Sequence, residues 1–389
     1  MAIDSKIQSY GMVAVDLFSG CGGMSAGFKA AGYSLSAAVD AELSKPSAKP
    51  GSTGCNATYT RNIGTQPRLA DIATLDPLVI AESLPSGRCD VLLACPPCTD
   101  YTRTKPSNHL VDGSRNGLTG RVADFAAVLA PRHIFMENAR EFLNGRFSYH
   151  ARDLFSSLER LGYRIEAHVH VLSRFGLPQA RERALVVATK SARPLSLDQL
   201  WDGLRLSASP SVRTALSRIP KAPDPDAKAP GIGEALSARL SAIPADGGSW
   251  AALCASEDSR RHLTPSMQRR FSSGEMGSHP DAYGRMAWDR PAPTIKRECA
   301  HPGNGRYVHP IENRIMTIRE MATLQGFPTT WQFEGSVTGR YRQIGDAVPP
   351  MISWQLALLA RWMDEGTRPA ANDIAMPGTC LRPEDLIAA

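Results

Sequence analysis

Short apolar runs, each closed by a polar or glycine-rich break, alternate with stretches of helical period through the first half of the chain. Residues 13–19 (Val-Ala-Val-Asp-Leu-Phe-Ser) read as a strand, Gly20-Cys21-Gly22-Gly23 as a tight turn, and residues 24–31 as a helix with Met24, Phe28 and Ala31 at helical spacing. A second strand over 33–39 ends at Asp40. Residues 44–54, rich in Ser, Pro, Lys and Gly, read as a loop; 57–62 suit a short helix, and Leu69-Ala70-Asp71-Ile72 a further acidic strand end. Residues 90–94 form an apolar strand, and 121–129 an amphipathic helix (Val122, Phe125, Ala126, Leu129) stopped by Pro131. Residues 133–136 form a buried strand that delivers Glu137-Asn138. A helix over 152–161 and strands over 164–173 and 184–188 follow. Strand, glycine turn and helix in alternation predict an α/β, doubly wound, mostly parallel sheet, with ligands at the strands' carboxyl ends.

After Thr189 the texture changes. Residues 191–310 are rich in Pro, Gly, Ser and Arg and show little long periodicity, with basic clusters at Arg260-Arg261-His262 and Arg269-Arg270. Residues 318–324 look helical. Residues 347–362 carry Ile352, Leu356, Leu359 and Trp362 on one stripe, an amphipathic pattern. The Pro-rich stretch beyond Gly366 is expected to pack loosely. The expected division is a cofactor-binding and catalytic domain over 1–190, completed by about 340–365, a smaller irregular domain over 191–335, and a tail over 366–389.

Composition narrows the class. Of 389 residues, 42% are hydrophobic and 21% charged, the balance of an ordinary globular protein. No apolar run is long enough for a membrane span, and the first ten residues lack a signal peptide's apolar core. Eight cysteines are too sparse for a disulfide framework, so reduced thiols in the cytoplasm are expected. The net charge of +6 permits a nucleic-acid partner without requiring one.

Candidate chemistry gathers at Cys95-Pro96-Pro97-Cys98, where the strand over 90–94 ends. Proline cannot continue a ladder, so Cys98 is presented from a loop at a strand's carboxyl end. A thiol there suits a nucleophile; a structural or redox Cys-x-x-Cys, or half a zinc site, is the alternative. No second cysteine pair with ligand spacing completes such a zinc site, and no metal is expected. Glu137 arrives on the same sheet edge. Gln179, Arg181 and Arg183 share one face if their segment is extended, and two guanidiniums on one face suit a phosphate or carboxylate clamp.

Taken in order, these stretches resemble the bacterial DNA (cytosine-5)-methyltransferase family from Asp16 to about Leu356. The resemblance rests on Asp16-Leu17-Phe18-Ser19-Gly20-Cys21-Gly22-Gly23, Pro96-Pro97-Cys98, Glu137-Asn138-Ala139, Gln179-x-Arg181-x-Arg183 and Arg290-Pro291-x-x-Thr294-Ile295. It continues through Arg319-Glu320-x-x-x-Leu324-Gln325-Gly326-Phe327-Pro328 and Gln343-Ile344-Gly345-Asp346-Ala347-Val348-Pro349. It implies a Rossmann-like fold that binds S-adenosylmethionine and releases S-adenosylhomocysteine, with duplex DNA as substrate, a base flipped from the stack and Cys98 as nucleophile. Glu137 and Arg183 would hold the cytosine, and Arg181 would orient the site and nearby phosphate. Phe18 would stack on adenine, Gly20, Gly22 and Gly23 would line the methionine end, and Asp40 would take the ribose hydroxyls. Asp71 and Ile72 would meet the adenine edge and Pro97 the sulfonium, with Asp346 and Val348 completing the cofactor site. The segment 99–120 would be a mobile loop over the base, and 191–284 the target-recognition region. A monomer serving a restriction–modification or phage-defence system is the implied setting. An RNA (tRNA) cytosine-5 methyltransferase and a non-catalytic DNA-binding paralogue are the rivals.

The chain departs from the family's pattern at Cys95 and Thr99 beside the nucleophile, and at Asp346, where the family usually has Asn. A carboxylate facing the cofactor's own carboxylate would weaken binding or raise its pKa. On that ground Asp346→Asn is expected to tighten binding.

Overall fold

The computed structural model describes residues 11–44, 47–97, 112–113, 115–191, 193–274 and 281–389. The alternating apolar runs become one six-stranded sheet. Its members are β1 (Val13–Leu17), β2 (Ser34–Val39), β3 (Val91–Ala94), β4 (His133–Ala139), β5 (Arg164–Val171) and β7 (Glu182–Thr189), in the order β2-β1-β3-β4-β7-β5. The first four are mutually parallel, and β7 runs antiparallel to both its neighbours. The two-residue β6 (Gln179–Ala180) stands apart and pairs with Ala292–Pro293.

Both faces of the sheet are covered, which is why β1, β3 and β4 are buried along their whole length. Alternation divides the side chains between two cores. Ala14, Leu93, Phe135 and Leu185 pack on one face against α1 (Gly23–Ala30) and the C-terminal helix Pro350–Glu365. Val15, Leu92, Met136 and Val186 pack on the other against α4 (Arg121–Leu129) and α6 (Tyr149–Arg160). A satellite core of Leu240, Ile243, Trp250, Leu253, Leu263, Met267 and Val308 lies in the second half. It is stitched by buried Arg285, whose guanidinium donates to the carbonyls of Leu240, Ile243, His309 and Glu312 at 2.7–3.1 Å.

Three expectations need correction. The C-terminal helix is not amphipathic: residues 350–360 are buried on every side. Its polar groups are satisfied inside, Gln355 accepting from Trp201 Nε1 at 2.8 Å and donating to the Phe175 carbonyl at 2.9 Å. Leu197, Leu200 and Trp201 belong to the same core as this helix. The tail is not loose, since Ile374, Met376 and Leu381 are buried, Asp385 pairs with Arg218, and Leu386–Ala388 form a two-stranded ladder with Leu204–Leu206. Leu69–Ile72 is not a strand. One parallel bridge joins Arg68 to Val39, and Asp71 then turns, its carboxylate accepting from Ala73 N at 2.9 Å.

The contact of α1 with the C-terminal helix requires glycine. A Cβ on Gly27 would sit 2.0 Å from the Trp354 nitrogen, where backbone meets backbone. Gly27→Ala is expected to cost on the order of 3 kcal/mol by overpacking, read as a lower urea midpoint. Gly231→Ala, in open space, should shift it by less than about 0.5 kcal/mol. Equal midpoints for the two variants would contradict this packing.

Candidate active site

At the end of β1 the chain turns through left-handed backbone at Phe18 (φ 60°), Gly20 (φ 52°) and Gly22 (φ 90°) before α1 begins at Gly23. Left-handed Phe18 is a strained position of the kind that clusters at functional sites. Asp40, at the end of β2, fixes the turn: one carboxylate oxygen accepts from Gly20 N at 2.8 Å and the other from Glu42 N at 2.6 Å. Ionised carboxylate oxygens have further lone pairs, so Asp40 can still accept from hydroxyl groups.

The turn forms one wall of a cavity of about 500 Å³. Phe18, Gly20, Gly23, Asp40, Asp71, Ile72, Pro97, Asp346 and Val348 all line it. Gly22 does not. It packs behind the turn, where a Cβ would stand 3.1 Å from the Tyr59 ring. The lining fits an adenosyl amino acid. Phe18 and Ile72 are apolar surfaces for a base, Asp40 is an acceptor for a ribose, and the α1 N-terminus favours an anionic end. Ser19 Oγ, on the same wall, is buried with no hydrogen-bond partner, as expected where a ligand supplies one. Asp346 differs from expectation in having a counter-ion: Arg297 Nη1 lies 3.2 Å from its carboxylate. Crowding by protein pushes the Asp346 carboxyl up to about 6, opposed by Arg297 and Arg181. Nearly half of the side chain still faces the cavity.

The second corner is built where β4 meets β7. Their antiparallel register sets Glu137 opposite Leu185 and Ala139 opposite Arg183. Glu137 is buried, lines the same cavity, and has Oε1 2.6 Å from Arg183 Nε and 3.9 Å from an Arg181 η-nitrogen. The Nε–H of Arg183 is not aimed at that oxygen, so the contact is an ion pair by proximity rather than an aligned hydrogen bond. Cys98 lies outside the described residues, as do 99–111 and 114 of the expected mobile loop. Pro96, before it, is tied to β4 through Asn138, whose Nδ2 donates to the Pro96 carbonyl at 3.3 Å. The carboxyl ends of β3 and β4 are thereby coupled.

Arg181 does not present itself to phosphate. It lies between β6 and β7, is 2% exposed, and donates to the carbonyls of Ile295 (3.0 Å) and Ala347 (3.3 Å). Gln179 works beside it, accepting from Ile295 N at 2.9 Å and donating to Gln325 Oε1 at 2.7 Å, while Gln325 donates to the Ala347 carbonyl at 2.7 Å. Arg181 and Gln179 are thus braces, and Arg183 is the less enclosed of the two arginines. Of the positions that sequence reasoning left without a role, Asn138, Gln179, Arg297 and Gln325 make tertiary contacts, while Ser19 lines the cavity. Apart from the motif membership of Ser19, Asn138, Gln179 and Gln325, nothing local marks them.

Beneath the glycine turn, Asp16 is wholly buried and accepts from Ser25 Oγ at 2.5 Å, with Tyr59 completing the chain at 2.7 Å. Burial pushes its carboxyl up from 3.8 to about 7. The folded protein therefore holds a proton that the unfolded chain releases between about pH 4 and 7, and stability falls as pH rises through that window. Asp16→Asn should flatten this slope, which is on the order of a few kcal/mol, in urea unfolding at pH 5 and 7. An unchanged slope would contradict it.

A doubly wound sheet with one antiparallel strand, and a nucleoside-sized cavity beside a carboxylate and two guanidiniums, define a Rossmann-like methyltransferase fold. The family model for C-5 cytosine-specific DNA methylase matches residues 12–357. The chain belongs to that family, and its activity is S-adenosylmethionine-dependent methylation of DNA cytosine at carbon 5. Similar proteins include the Type II methylase M.HgiDII of Herpetosiphon aurantiacus, 29% identical over 90% of this chain and 96% of that protein. The Type II methyltransferase M.AgeI of Thalassovita gelatinovora is 26% identical over 89% and 98%. Among solved structures, the S. pombe Dnmt2 methyltransferase superposes with a TM-score of 0.59 at 17% identity, covering 91% of this chain and 99% of that one. Among the described residues no helix is long and apolar enough to cross a membrane.

Proposed function

We propose that Cys98 is the nucleophile, and that the enzyme marks cytosine within a specific duplex sequence as the modifying partner of a cytoplasmic restriction–modification or phage-defence system. The observation that carries this reading is the seating of Glu137 against Arg183 on the cavity wall that Pro96 and Pro97 share. Carbon 5 of cytosine is a poor nucleophile. The Cys98 thiolate adds to carbon 6, forming a carbon–sulfur bond and leaving carbon 5 with enamine character. Glu137 holds the ring through nitrogen 3 and the exocyclic amine, placing a proton where negative charge arrives. Arg183 meets oxygen 2, and Arg181 is a positioning residue that keeps the Glu137 carboxyl in place. When bound, S-adenosylmethionine supplies the electrophilic methyl group that carbon 5 receives. It would be held by Phe18, Gly20, Gly23, Asp40, Asp71, Ile72, Pro97, Asp346 and Val348. Loss of the carbon 5 proton and expulsion of the thiolate restore the aromatic ring.

Such chemistry needs the base out of its stack, and DNA would lie between the catalytic domain (1–190 with about 340–365) and the small domain over 191–335. The region 191–284 would read the sequence, its exposed arginines such as Arg269 contacting phosphate. The enzyme would work as a monomer.

Duplexes carrying 5-fluorocytosine at the target should trap a covalent complex, because carbon 5 then has no proton to lose. The complex should disappear with Cys98→Ala. An adduct that survives the substitution, or none with any duplex, would overturn the assignment. Glu137→Gln should lower turnover about 10²- to 10⁴-fold in labelled-methyl assays while S-adenosylhomocysteine affinity stays within about threefold. A loss confined to cofactor affinity would remove Glu137 from the chemistry.

A further inference from the structure

The cavity holds a pair of opposite charges, and one of them, Arg297, has no role in the reading above. Arg297 and Asp346 both line it, 3.2 Å apart. They stand on segments pressed together so closely that a Cβ on Gly345 would lie 2.3 Å from the Lys296 carbonyl oxygen. Those segments are also pinned from behind, since Arg181 donates to the carbonyls of Ile295 and Ala347, two residues before Arg297 and one after Asp346. The two segments that carry the pair are therefore fixed relative to one another.

Neither member is exhausted by the other. Arg297 Nη2 is buried and has no hydrogen-bond partner, and an enclosed guanidinium N–H without an acceptor is costly. Nearly half of the Asp346 side chain is open to the cavity. An ionised carboxylate only accepts, where an asparagine amide both donates and accepts. Arg297 supplies the donor that Asp346 lacks.

We propose that Arg297 and Asp346 form a charge-complementary clamp on the amino-acid end of the bound cofactor, Arg297 meeting its carboxylate and Asp346 its ammonium group. The clamp rests on the reading of the cavity as the S-adenosylmethionine site, and it makes these two residues selective for a zwitterionic ligand. It reverses the sign expected for a bare carboxylate at this position, because removing the Asp346 charge costs the ammonium its partner.

Calorimetric titration of the full chain with S-adenosylhomocysteine and with 5′-methylthioadenosine, the same nucleoside thioether without the amino acid, separates the two readings. Arg297→Gln should weaken S-adenosylhomocysteine about 10- to 100-fold, as for a lost hydrogen bond to a charged group, and methylthioadenosine by less than about threefold. Retained methylthioadenosine binding also reports that the variant is folded. Asp346→Asn should weaken S-adenosylhomocysteine several-fold. Equal effects of Arg297→Gln on both ligands, no effect on either, or tighter binding by Asp346→Asn would overturn the clamp while leaving the cofactor cavity intact. Failure of the unsubstituted protein to bind either ligand would overturn both the cavity reading and the clamp.

Discussion

The site depends on one buried guanidinium. Arg181 is almost wholly enclosed, and its charge is tolerated because it donates to the carbonyls of Ile295 and Ala347 and stands 3.9 Å from the Glu137 carboxylate. A buried charge without such partners would be strongly destabilising. By meeting these three groups Arg181 brings together the carboxyl end of β4, the segment after Ala292–Pro293 and the start of the C-terminal helix. Gln179 and Gln325 fasten two of these segments, at Ile295 and Ala347, with neutral hydrogen bonds. The Glu137 wall and the glycine-turn wall of the cavity are therefore one construction.

That coupling explains why the chain returns to the six-stranded sheet at the end. The helix Pro350–Glu365 fills the face of the sheet beside α1, and its first residues carry Ala347 and Val348 into the glycine turn, where a Gly23 Cβ would lie 2.2 Å from the Val348 carbonyl oxygen. Without that return the cavity would lack the wall that holds Asp346 and Val348. The satellite core around Trp250 sits outside this construction and is stitched by its own arginine, Arg285.

Much of this was legible in the sequence. The six long strands follow from apolar runs closed by polar breaks. The glycine turn, Asp40 and Glu137 follow from residues placed at strand ends, and nine of the ten cofactor positions line one cavity. Local pattern failed wherever burial was decided by distant partners. Alternation placed Arg181 on an outward face, but the carbonyls of Ile295 and Ala347, more than a hundred residues away, draw it inward. The stripe on the last helix seemed one-sided because Ser353 and Gln355 are polar, yet both are satisfied in the interior. The tail's prolines suggested slackness, while Ile374 and Leu381 bury themselves against the core. Arg297, the partner of Asp346, lies 49 positions earlier in a run with no distinguishing period, so nothing local announces the pair.

Bisulfite sequencing of the genome of cells expressing the protein, set against cells expressing Cys98→Ala, bears most directly on the claim that this site methylates carbon 5 of cytosine in chosen duplex sequences. The account predicts protected cytosines confined to one short recurring sequence, present with the unsubstituted chain and lost with the variant. Protection that is absent from both, scattered without a common sequence, or retained after the substitution would contradict it.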